Sequence, residues 1–589
     1  DKLYSLKPTN GDGDFNFTRA SSATRVNSEG LIEDVPYNLL EQSNDFDTTW
    51  TLSASIDLTS GQSGYDGTNN AWLLKRNSTG ARYIQQTLTR PLGQYSYSVY
   101  LKAESTDWVY VWFYDGSTAA NAYFDLNNGV VGNTSGLDST NIVSVGNDWY
   151  RVTITFTKAI TSVRIYPAYS NGSVSTGTDN GIYIQDAQVN KGATAKTYFP
   201  TTDRLNVPRI DYTGGGCGKL LLEPQRTNLI PYSEDFSNAA WTTQNATITQ
   251  NNYISPSGET TASTIFESNF FGNHIIYDAV TSTPNVLYNF SIFVKKNNRR
   301  YIGIQGFYSG TKGSIAFYDL DNGTLVYTFS EGSGYGIYDA KIENYGNGWY
   351  RLSANFIAPD NEIYMGICLA DNKWVTGTAY DNQYQGDVTK GVYIWGAQLE
   401  QGSYPTSYII SNSGSQTTRT ADACNNAGTS ATFNDSEGVL FFEGSALAND
   451  GTSRRIAISD GTYSNRIYFE YDETANRVYF VVNSGGVNQM NIQYEATNLT
   501  LFNKLLIKYK VNDFSVFFNG FKIATDLSGS TPIGLSELAF DDGGNTSKFY
   551  GKTKQLMTFN TALTDSELET LTSWTSFVEM ANAQKYTII

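Results

Sequence analysis

One stretch of this chain occurs twice, and the repeat limits the fold more than any other feature. It reads Gly146–Arg151 (GNDWYR) in the first copy and Gly346–Arg351 (GNGWYR) in the second. Each copy leads directly into a segment, 152–156 or 352–356, in which large apolar residues alternate with smaller or polar ones. This alternation is typical of a β-strand with one buried face. Because further matches lie on both sides, the pattern indicates a duplicated domain.

Landmarks in the same order accompany both copies. Each copy has an opening Asn-Leu pair, a strand that ends in Lys, a turn that ends in Asn-Gly, and a closing strand that contains Ala-Gln. They are Asn38-Leu39, 95–102, 124–129 and 181–189 in the first copy, and Asn228-Leu229, 288–295, 318–323 and 391–399 in the second. Asn-Gly is typical of two-residue hairpin turns because both residues tolerate positive φ. We therefore predict two antiparallel jelly-roll β-sandwiches, at 38–200 and 228–411.

Composition favours an all-β chain throughout. Aromatic residues make up 14% of the 589 residues, charged residues make up only 16%, and Gly is abundant. Rings and β-branched side chains pack well on a pleated sheet, and no sustained helical period of apolar residues occurs. The rest of the chain is predicted to be an extended N-terminal attachment arm (1–37), a linker or continuation of the arm (201–227), a second linker (412–436) and a third sandwich (437–589).

Charge and cysteine content exclude several classes of function. The net charge is −17, with 40 basic against 57 acidic residues, so the chain lacks the basic stripe that nucleic acid or an anionic membrane surface requires. No run approaches the length of a membrane-spanning segment, and we expect no membrane insertion. The widely spaced Cys217, Cys368 and Cys424 and the single His274 do not have the spacing of a zinc site or a disulfide framework.

No motif nominates a catalytic or metal site. The chain lacks a G-x-S-x-G elbow, a Walker loop and H-E-x-x-H, and nothing local selects the pair of carboxylates that a glycosidase needs. The acidic turns at 319–322 and 541–544 do not continue into a calcium loop, so we interpret them as hairpin turns. We expect no enzymatic activity and no cofactor, and leave open a structural calcium ion with ligands from distant loops.

One strand of the first sandwich carries the candidate binding site. Alternation places its four large rings on one face and its aliphatic residues on the other. The predicted carbohydrate-binding residues are Trp108, Tyr110, Trp112 and Tyr114. Sugar-binding proteins stack pyranose faces on exposed aromatic rings. The alternative interpretation is that the rings pack beneath a loop or against another domain.

The two copies differ on this strand. The matching strand of the second copy keeps an aliphatic face in Ile302 and Ile304. Its other face carries Tyr301, Gly303 and Gln305. We therefore expect that second face to change from aromatic to small and polar, as a ligand-facing surface can. The Trp-Tyr-Arg motif, which both copies retain, is interpreted as a packing element.

Three parts of the chain resemble known families. In the C-terminal region, Asn519-Gly520 and 559–568 (FNTALTDSEL) resemble a concanavalin A/laminin G-like sandwich, and Thr564 with Glu567 has the spacing of a helix capping box. The duplicated domain resembles the jelly-roll carbohydrate-binding modules of secreted glycanases and phage fibres. The third resemblance is to the arm of tailed-phage head-spike and fibre proteins. The segments that carry it are 19–33 (RASSATRVNSEGLIE), 208–212 (PRIDY) and 220–228 (LLLEPQRTN). In those proteins the two parts of the arm lie close together, whereas here the first sandwich separates them, as if inserted.

The resemblance implies a non-enzymatic virion protein, a head or tail fibre or spike. Its arm would attach to the particle, its sandwiches would bind host-surface glycans, and its partners would include other virion proteins and further copies of itself. Two alternatives remain open. One is a structural decoration or tail component that contacts only virion proteins, and the other is a polysaccharide depolymerase or secreted glycanase with accessory binding modules.

Overall fold

A computed structural model describes residues 2–4, 14–201, 206–308, 312–357, 359–371, 383–412 and 414–584. Parts of the predicted arm (1 and 5–13), of the two linkers (202–205 and 413) and of the C-terminal region (585–589) lie outside the described residues. The chain forms two compact units, one made of Asp1–Glu33 with Pro208–Ile589 and the other of Asp34–Val207. The second unit is thus inserted, in chain order, into the first.

The N-terminal segment consists of short strands. They are β1 (Lys2–Leu3), β2 (Asn16–Thr18), β3 (Ala23–Val26) and β4 (Ile32–Val35). The first two are paired with distant parts of the same compact unit, because Phe17 lies opposite Cys424 and Leu3 opposite Met557. In the part of the arm that the structure describes, these backbone groups therefore bind their own chain.

The inserted unit is a β-sandwich. Its strands are β5 (Thr51–Leu52), β6 (Ile56–Gln62), β7 (Ala71–Arg76), β8 (Ile84–Ala103), β9 (Trp108–Tyr114), β10 (Ala119–Asp125), β11 (Val130–Ser135), β12 (Ser139–Gly146), β13 (Trp149–Ala168) and β14 (Gly181–Lys191). The two long strands, β8 and β13, pair along their length, with register shifts near Ile160. Each therefore serves both layers. One layer has the order β11-β10-β9-β13-β8-β5, and the other β12-β13-β8-β14-β7-β6.

The second sandwich repeats this order with the long strands divided in two. After β15 (Arg209–Asp211), β16 (Lys219–Leu222) and β17 (Arg226–Asn228), its strands are β18 (Trp241–Gln244), β19 (Ala246–Tyr253), β20 (Ala262–Glu267), β21 (Phe271–Gly272), β22 (His274–Thr281), β23 (Leu287–Lys296), β24 (Tyr301–Tyr308), β25 (Lys312–Asp319), β26 (Thr324–Glu331), β27 (Gly336–Gly346), β28 (Trp349–Ile357), β29 (Glu362–Ala370), β30 (Tyr384–Gln385) and β31 (Gly391–Gln401). The layers are β26-β25-β24-β29-β22-β18 and β27-β28-β23-β31-β20-β19. Strand for strand, they match those of the first sandwich, so the duplication extends to topology.

The C-terminal region forms a third sandwich. It is preceded by β32 (Thr417–Arg419), which pairs with β17, and β33 (Ala423–Asn425), which pairs with β2. Its own strands are β34 (Glu437–Ala446), β35 (Arg454–Ser459), β36 (Arg466–Tyr471), β37 (Arg477–Ser484), β38 (Val487–Glu495), β39 (Asn503–Lys510), β40 (Phe514–Phe518), β41 (Phe521–Asp526), β42 (Glu537–Ala539) and β43 (Gly551–Phe559). One layer has the order β15-β16-β43-β34-β39-β40-β41 and the other β38-β37-β36-β35-β42. The segment between the first two sandwiches thus extends a sheet of the third, and Leu220 and Leu222 enter its core.

Helix is confined to the C-terminal end of the described residues. Helix α1 (Asp565–Thr572) begins with the predicted capping box, in which the Thr564 side chain accepts from the Glu567 amide and the Glu567 side chain accepts from the Thr564 amide. A second helix, α2 (Phe577–Ala583), was not expected from the sequence. In the part of the chain described, neither helix has the length and apolar character of a membrane span. The prediction of an all-β chain of tandem jelly-roll sandwiches followed by a concanavalin A-like sandwich is confirmed.

The hairpin turns agree with the sequence in place but not always in type. Asn519 and Gly520 both have positive φ (49° and 88°), as a two-residue turn requires. In the predicted turns of the two jelly rolls, Asn128-Gly129 and Asn322-Gly323, only the glycine has positive φ. Asp125 explains the difference in the first of these turns. Its carboxylate accepts hydrogen bonds from the Asn127 and Asn128 amides and so stabilises a longer turn.

Candidate functional site

The strand β9 alternates as predicted. Its aliphatic and Phe positions, Val109, Val111 and Phe113, are buried in the core of the sandwich, whereas the residues between them are half-buried. The four candidate rings, Trp108, Tyr110, Trp112 and Tyr114, therefore share the face that points away from the core. The structure brings these four residues together, and it adds neighbours that a single strand could not reveal.

Tyrosines from adjacent strands extend this face across the sheet. Tyr123 on β10 and Tyr166 on β13 lie directly opposite Tyr110, with ring centroids 4.3 Å and 5.2 Å away. Tyr83, just before β8, continues the row at 5.0 Å from Tyr166. Burial raises the pKa of the Tyr110, Tyr123 and Tyr166 hydroxyls, so all three remain neutral hydrogen-bonding groups at physiological pH.

An arginine is inserted among the rings. The guanidinium carbon of Arg164 lies 4.3 Å from the ring centroids of both Trp112 and Tyr83, a cation–π arrangement. Its Nε donates to the side-chain oxygen of Gln85, and Nη1 donates to the Tyr166 hydroxyl at 3.3 Å. These contacts fix the guanidinium group among the rings. We name this set of residues the aromatic layer: Trp108, Tyr110, Trp112, Tyr114, Tyr83, Tyr123, Tyr166, Arg164 and Gln85.

The rings of the aromatic layer pack against one another. Trp112 and Tyr114 are nearly parallel, with centroids 5.1 Å apart and planes at 10°. Trp108 lies over Gly132, where an added Cβ would come within 2.6 Å of its ring. Tyr110, Trp112 and Tyr114 are therefore packed against other rings, whereas Trp108 packs on the glycine of the neighbouring strand. A ligand would meet the remaining ring faces, the ring edges and the polar groups between them.

The corresponding face of the second sandwich departs from the sequence expectation. Ile302 and Ile304 are buried in its core, as predicted, but the other face is not small and polar. An added Cβ at Gly303 would lie within 3.0 Å of Cys368, Ile315 and Phe317, so side chains from neighbouring strands fill the space above the glycine. Comparison of one strand alone could not show this filling, because it comes from β25 and β29.

The other polar residues noted in the sequence, His274 and the acidic turn at Asp319, make contacts within the chain. His274 is buried, with Nδ1 2.6 Å from the Asn245 carbonyl oxygen and Nε2 3.3 Å from that of Tyr384. Asp319, in the first acidic turn, is paired with Arg300 through both oxygens (2.9 Å and 2.7 Å), and this pairing lowers the pKa of Asp319 to about 2. Within the described ranges, no three His, Cys, Asp or Glu side chains come together as metal ligands.

The arm motif supplies a cluster of buried charges. Five side chains from four separate segments meet with almost no solvent exposure. They are Arg19, Arg209, Glu223, Arg419 and Asp422. Sequence reasoning assigned Arg19, Arg209 and Glu223 to the arm and its continuation. It assigned Arg419 and Asp422 to the second linker, and it did not predict that these charges pair with one another. The charged residues that the arm contributes, Arg19, Arg209 and Glu223, thus form ion pairs within their own chain.

Comparison with known proteins gives weak likenesses only. No protein-family model and no curated protein matches the chain. Among solved structures, a CBM40 of a Ruminococcus gnavus IT-sialidase, bound to α2,3-sialyllactose, is 14% identical with a TM-score of 0.22 and covers 25% of this chain and 93% of its own. The tandem CBM22 domains of Paenibacillus barcinonensis Xyn10C are 13% identical with a TM-score of 0.18, covering 62% and 98%. Mouse laminin α1 domains LG4-5 are 11% identical with a TM-score of 0.18, covering 48% and 84%. At these values the likenesses support no conclusion about function.

Proposed function

We propose that this protein is a non-enzymatic virion fibre or spike component that binds host-surface glycans through the aromatic layer of its first sandwich. The observation that supports glycan binding is the composition of that layer. Seven rings, an arginine and a glutamine amide share one face of the sheet. Tyr123 and Tyr166 are buried in it, and the other members are half-buried. A surface that combines large apolar area with fixed polar groups suits a sugar, which has apolar faces and a rim of hydroxyl groups.

Each type of group in the layer has a role in this proposal. Ring faces and edges contact the C–H faces of a pyranose, and Trp108 and Tyr114 lie towards the two ends of the strand. Between them, the Arg164 guanidinium and the Gln85 amide are held in place by each other and by Tyr166. Donors that are fixed before binding lose little entropy when they bond to sugar hydroxyls.

The virion role is supported by the resemblance of the arm. Arg19, Arg209 and their carboxylate partners bind within the chain. The role proposed for the motif is therefore to hold segments of this chain together, while other surfaces contact the particle. Display of many copies on a particle would raise the avidity of weak single sites.

A glycan array tests the proposal directly. The full-length protein is expected to bind a subset of host-surface glycans, and Trp108→Ala with Trp112→Ala is expected to weaken that binding at least tenfold, about 1.4 kcal/mol. The matched control is Tyr301→Ala with Phe307→Ala on the equivalent strand of the second sandwich, which should leave binding unchanged. Circular dichroism verifies that both double variants remain folded.

The same preparation distinguishes the rival functions when reducing-sugar release is measured alongside binding. Release of reducing sugar from a bound polysaccharide would show that the protein is a depolymerase and that the non-enzymatic function is wrong. Binding to no glycan at all would instead favour a structural virion component, whose aromatic layer contacts another protein. Equal loss of binding in both double variants would remove the aromatic layer as the site.

A further inference from the structure

The second sandwich and the arm form a cleft that the aromatic layer does not use. Its volume is about 260 Å³, and its walls come from the arm, from the end of β19 and from the Trp-Tyr-Arg turn. The residues that matter here are Leu31, Tyr253, Pro256, Lys295, Asn347 and Trp349. The arm is joined to this sandwich by a hydrogen bond from the Ile32 amide to the Pro256 carbonyl oxygen, at 3.0 Å.

The interior of the cleft pairs an ammonium group with aromatic rings. Lys295 is half-buried, and its Nζ lies 5.0 Å from the ring centroid of Tyr253. Tyr253 is itself held by stacking on Tyr393, at 3.8 Å and 16°. Among the residues that the structure describes, no carboxylate lies within 4.0 Å of the Lys295 ammonium. A half-buried cation with no carboxylate beside it favours an anion in the adjoining space.

The equivalent lysine of the first sandwich, Lys102, has a carboxylate beside it. Lys102 lies opposite Tyr183, just as Lys295 lies opposite Tyr393. The Lys102 ammonium donates to the Asn147 carbonyl oxygen at 2.9 Å and lies 3.7 Å from the Asp148 carboxylate. The chain therefore carries, in its own first copy, a version of this site in which an internal carboxylate is present.

Glycine replaces that carboxylate in the second copy. Gly348 occupies the position of Asp148, and both have positive φ, 77° and 63°. A Cβ added at Gly348 would lie 3.3 Å from Cε and 3.8 Å from Nζ of Lys295. A side-chain carboxylate at this position would thus reach the ammonium, whereas glycine supplies none.

We propose that this cleft binds an acidic sugar, with the ligand carboxylate on Lys295 and the sugar ring against Tyr253 and Leu31. The volume is below the 300–1,000 Å³ typical of pockets for larger ligands, which fits a single ring better than an extended acidic peptide. The Asn347 amide at the rim supplies a polar partner for hydroxyl groups. The site lies in a different compact unit from the aromatic layer, and it does not depend on glycan binding there.

The test uses the full chain and ligand-detected saturation-transfer NMR. The probes are the methyl glycosides of glucuronic, galacturonic, mannuronic and N-acetylneuraminic acid, with methyl glucoside, galactoside and mannoside as neutral counterparts. At least one acidic sugar is expected to bind tenfold or more tightly than the neutral sugars, and its binding should weaken as salt is raised. If every acidic sugar binds no better than the neutral ones, the proposal is wrong.

Variants assign the binding to the cleft. Lys295→Met and Gly348→Asp are each expected to weaken acidic-sugar binding at least tenfold, the second by placing a carboxylate where the first copy has one. Lys295→Arg should retain binding, and Lys102→Met, the matched change in the first copy, should leave it unchanged. Thermal unfolding verifies that the variants fold. Unchanged binding in Lys295→Met, or an equal loss of binding in Lys102→Met, would contradict the assignment of the site to the cleft. If Trp108→Ala with Trp112→Ala leaves glycan binding on the array unchanged, only the proposal for the aromatic layer is wrong.

Discussion

Buried charges are the most constrained single residues in this chain. Arg19 lies 3.1 Å from Asp422, Arg209 pairs with both Asp422 and Glu223, and Arg419 lies 2.8 Å from Glu223. The Glu223 carboxylate also accepts from the amide and hydroxyl of Ser407, at 2.8 Å and 2.7 Å. Every charge in the group thus has a partner of opposite sign, which a buried ion pair requires to be tolerated at all.

Removal of one carboxylate from this group is expected to destabilise the larger compact unit. In Glu223→Gln, the Arg209 and Arg419 guanidinium groups lose their shared anion while they remain buried, which costs about 3–5 kcal/mol for a broken buried pair. Chemical denaturation of the purified variant measures the loss. The control is Glu437→Gln, which removes a more exposed pair with Lys510 and should cost far less, because water screens that pair. Equal effects of the two changes would contradict the importance given to the cluster.

The contribution of Glu223 also depends on pH. Burial alone would raise the pKa of this carboxyl, but Arg419, Arg209 and the Ser407 hydrogen bonds outweigh it and hold the pKa well below its ordinary value of 4.5. A carboxyl with a lowered folded-state pKa stabilises the fold above its unfolded pKa and loses that effect as the pH falls. The difference in unfolding free energy between the wild type and Glu223→Gln should therefore be largest near pH 7 and shrink below about pH 4.5.

At the scale of elements, the Trp-Tyr-Arg motif joins three parts of each jelly roll. The Tyr ring of the motif packs against the glycine of the predicted Asn-Gly turn. Tyr150 packs against Gly129, and Tyr350 packs against Gly323. Its Arg reaches the loop that leaves the sandwich, since Arg151 donates to the Lys196 carbonyl oxygen and Arg351 to that of Thr406. The repeated motif is thus explained by packing in both copies.

The hairpin glycines should be intolerant of a side chain, and equally so in both copies. An added Cβ would lie 2.7 Å from the Tyr150 ring at Gly129 and 2.9 Å from the Tyr350 ring at Gly323, and both glycines have positive φ. Gly129→Ala and Gly323→Ala are each expected to cost more than about 1 kcal/mol, from strain in the backbone together with the clash.

Matched glycines separate these two causes. Gly67 and Gly461 also have positive φ, but nothing lies within 4 Å of an added Cβ. Their change to Ala should cost only the backbone term of about 1 kcal/mol. Denaturation midpoints of the four variants make the comparison, and a loss at Gly67 as large as at Gly129 would show that the Tyr contact contributes nothing.

The sequence predicted local features of the elements well and distant partnerships poorly. Alternation on β9, the capping box before α1 and the Asn519-Gly520 turn each depend on residues a few positions apart, and all three were predictable. Tyr166 and Arg164 join the aromatic layer only because β13 bends at its register shifts and places its second half beside β9. Likewise, the Arg19–Asp422 pair joins residues 403 positions apart, which no local pattern could reveal.

At the scale of the whole molecule, the inserted unit has the features of an autonomous domain. One hydrophobic core draws all its buried residues from 39–189. The beginning and end of the unit are joined to each other, because the Leu39 amide donates to the Val189 carbonyl oxygen at 2.7 Å and the Asn38 side chain to that of Phe199 at 2.9 Å. A domain whose ends meet can be inserted into another with little disturbance to the host.

Excision tests this independence in both directions. The fragment 34–207 is expected to fold alone with a single cooperative transition, because neither its core nor its terminal hydrogen bonds use residues outside that range. The complementary chain, in which a short Gly/Ser linker replaces 34–207, should also fold, since Arg209 still reaches the Thr24 carbonyl oxygen and the Val26 amide still donates to Asp211. Circular dichroism and denaturation of both pieces measure the outcome. The fragment should retain the glycan binding that Trp112→Ala weakens. The complementary chain should retain the acidic-sugar binding that Lys295→Met weakens. If the fragment is unfolded, the inserted unit depends on the rest of the chain for its stability.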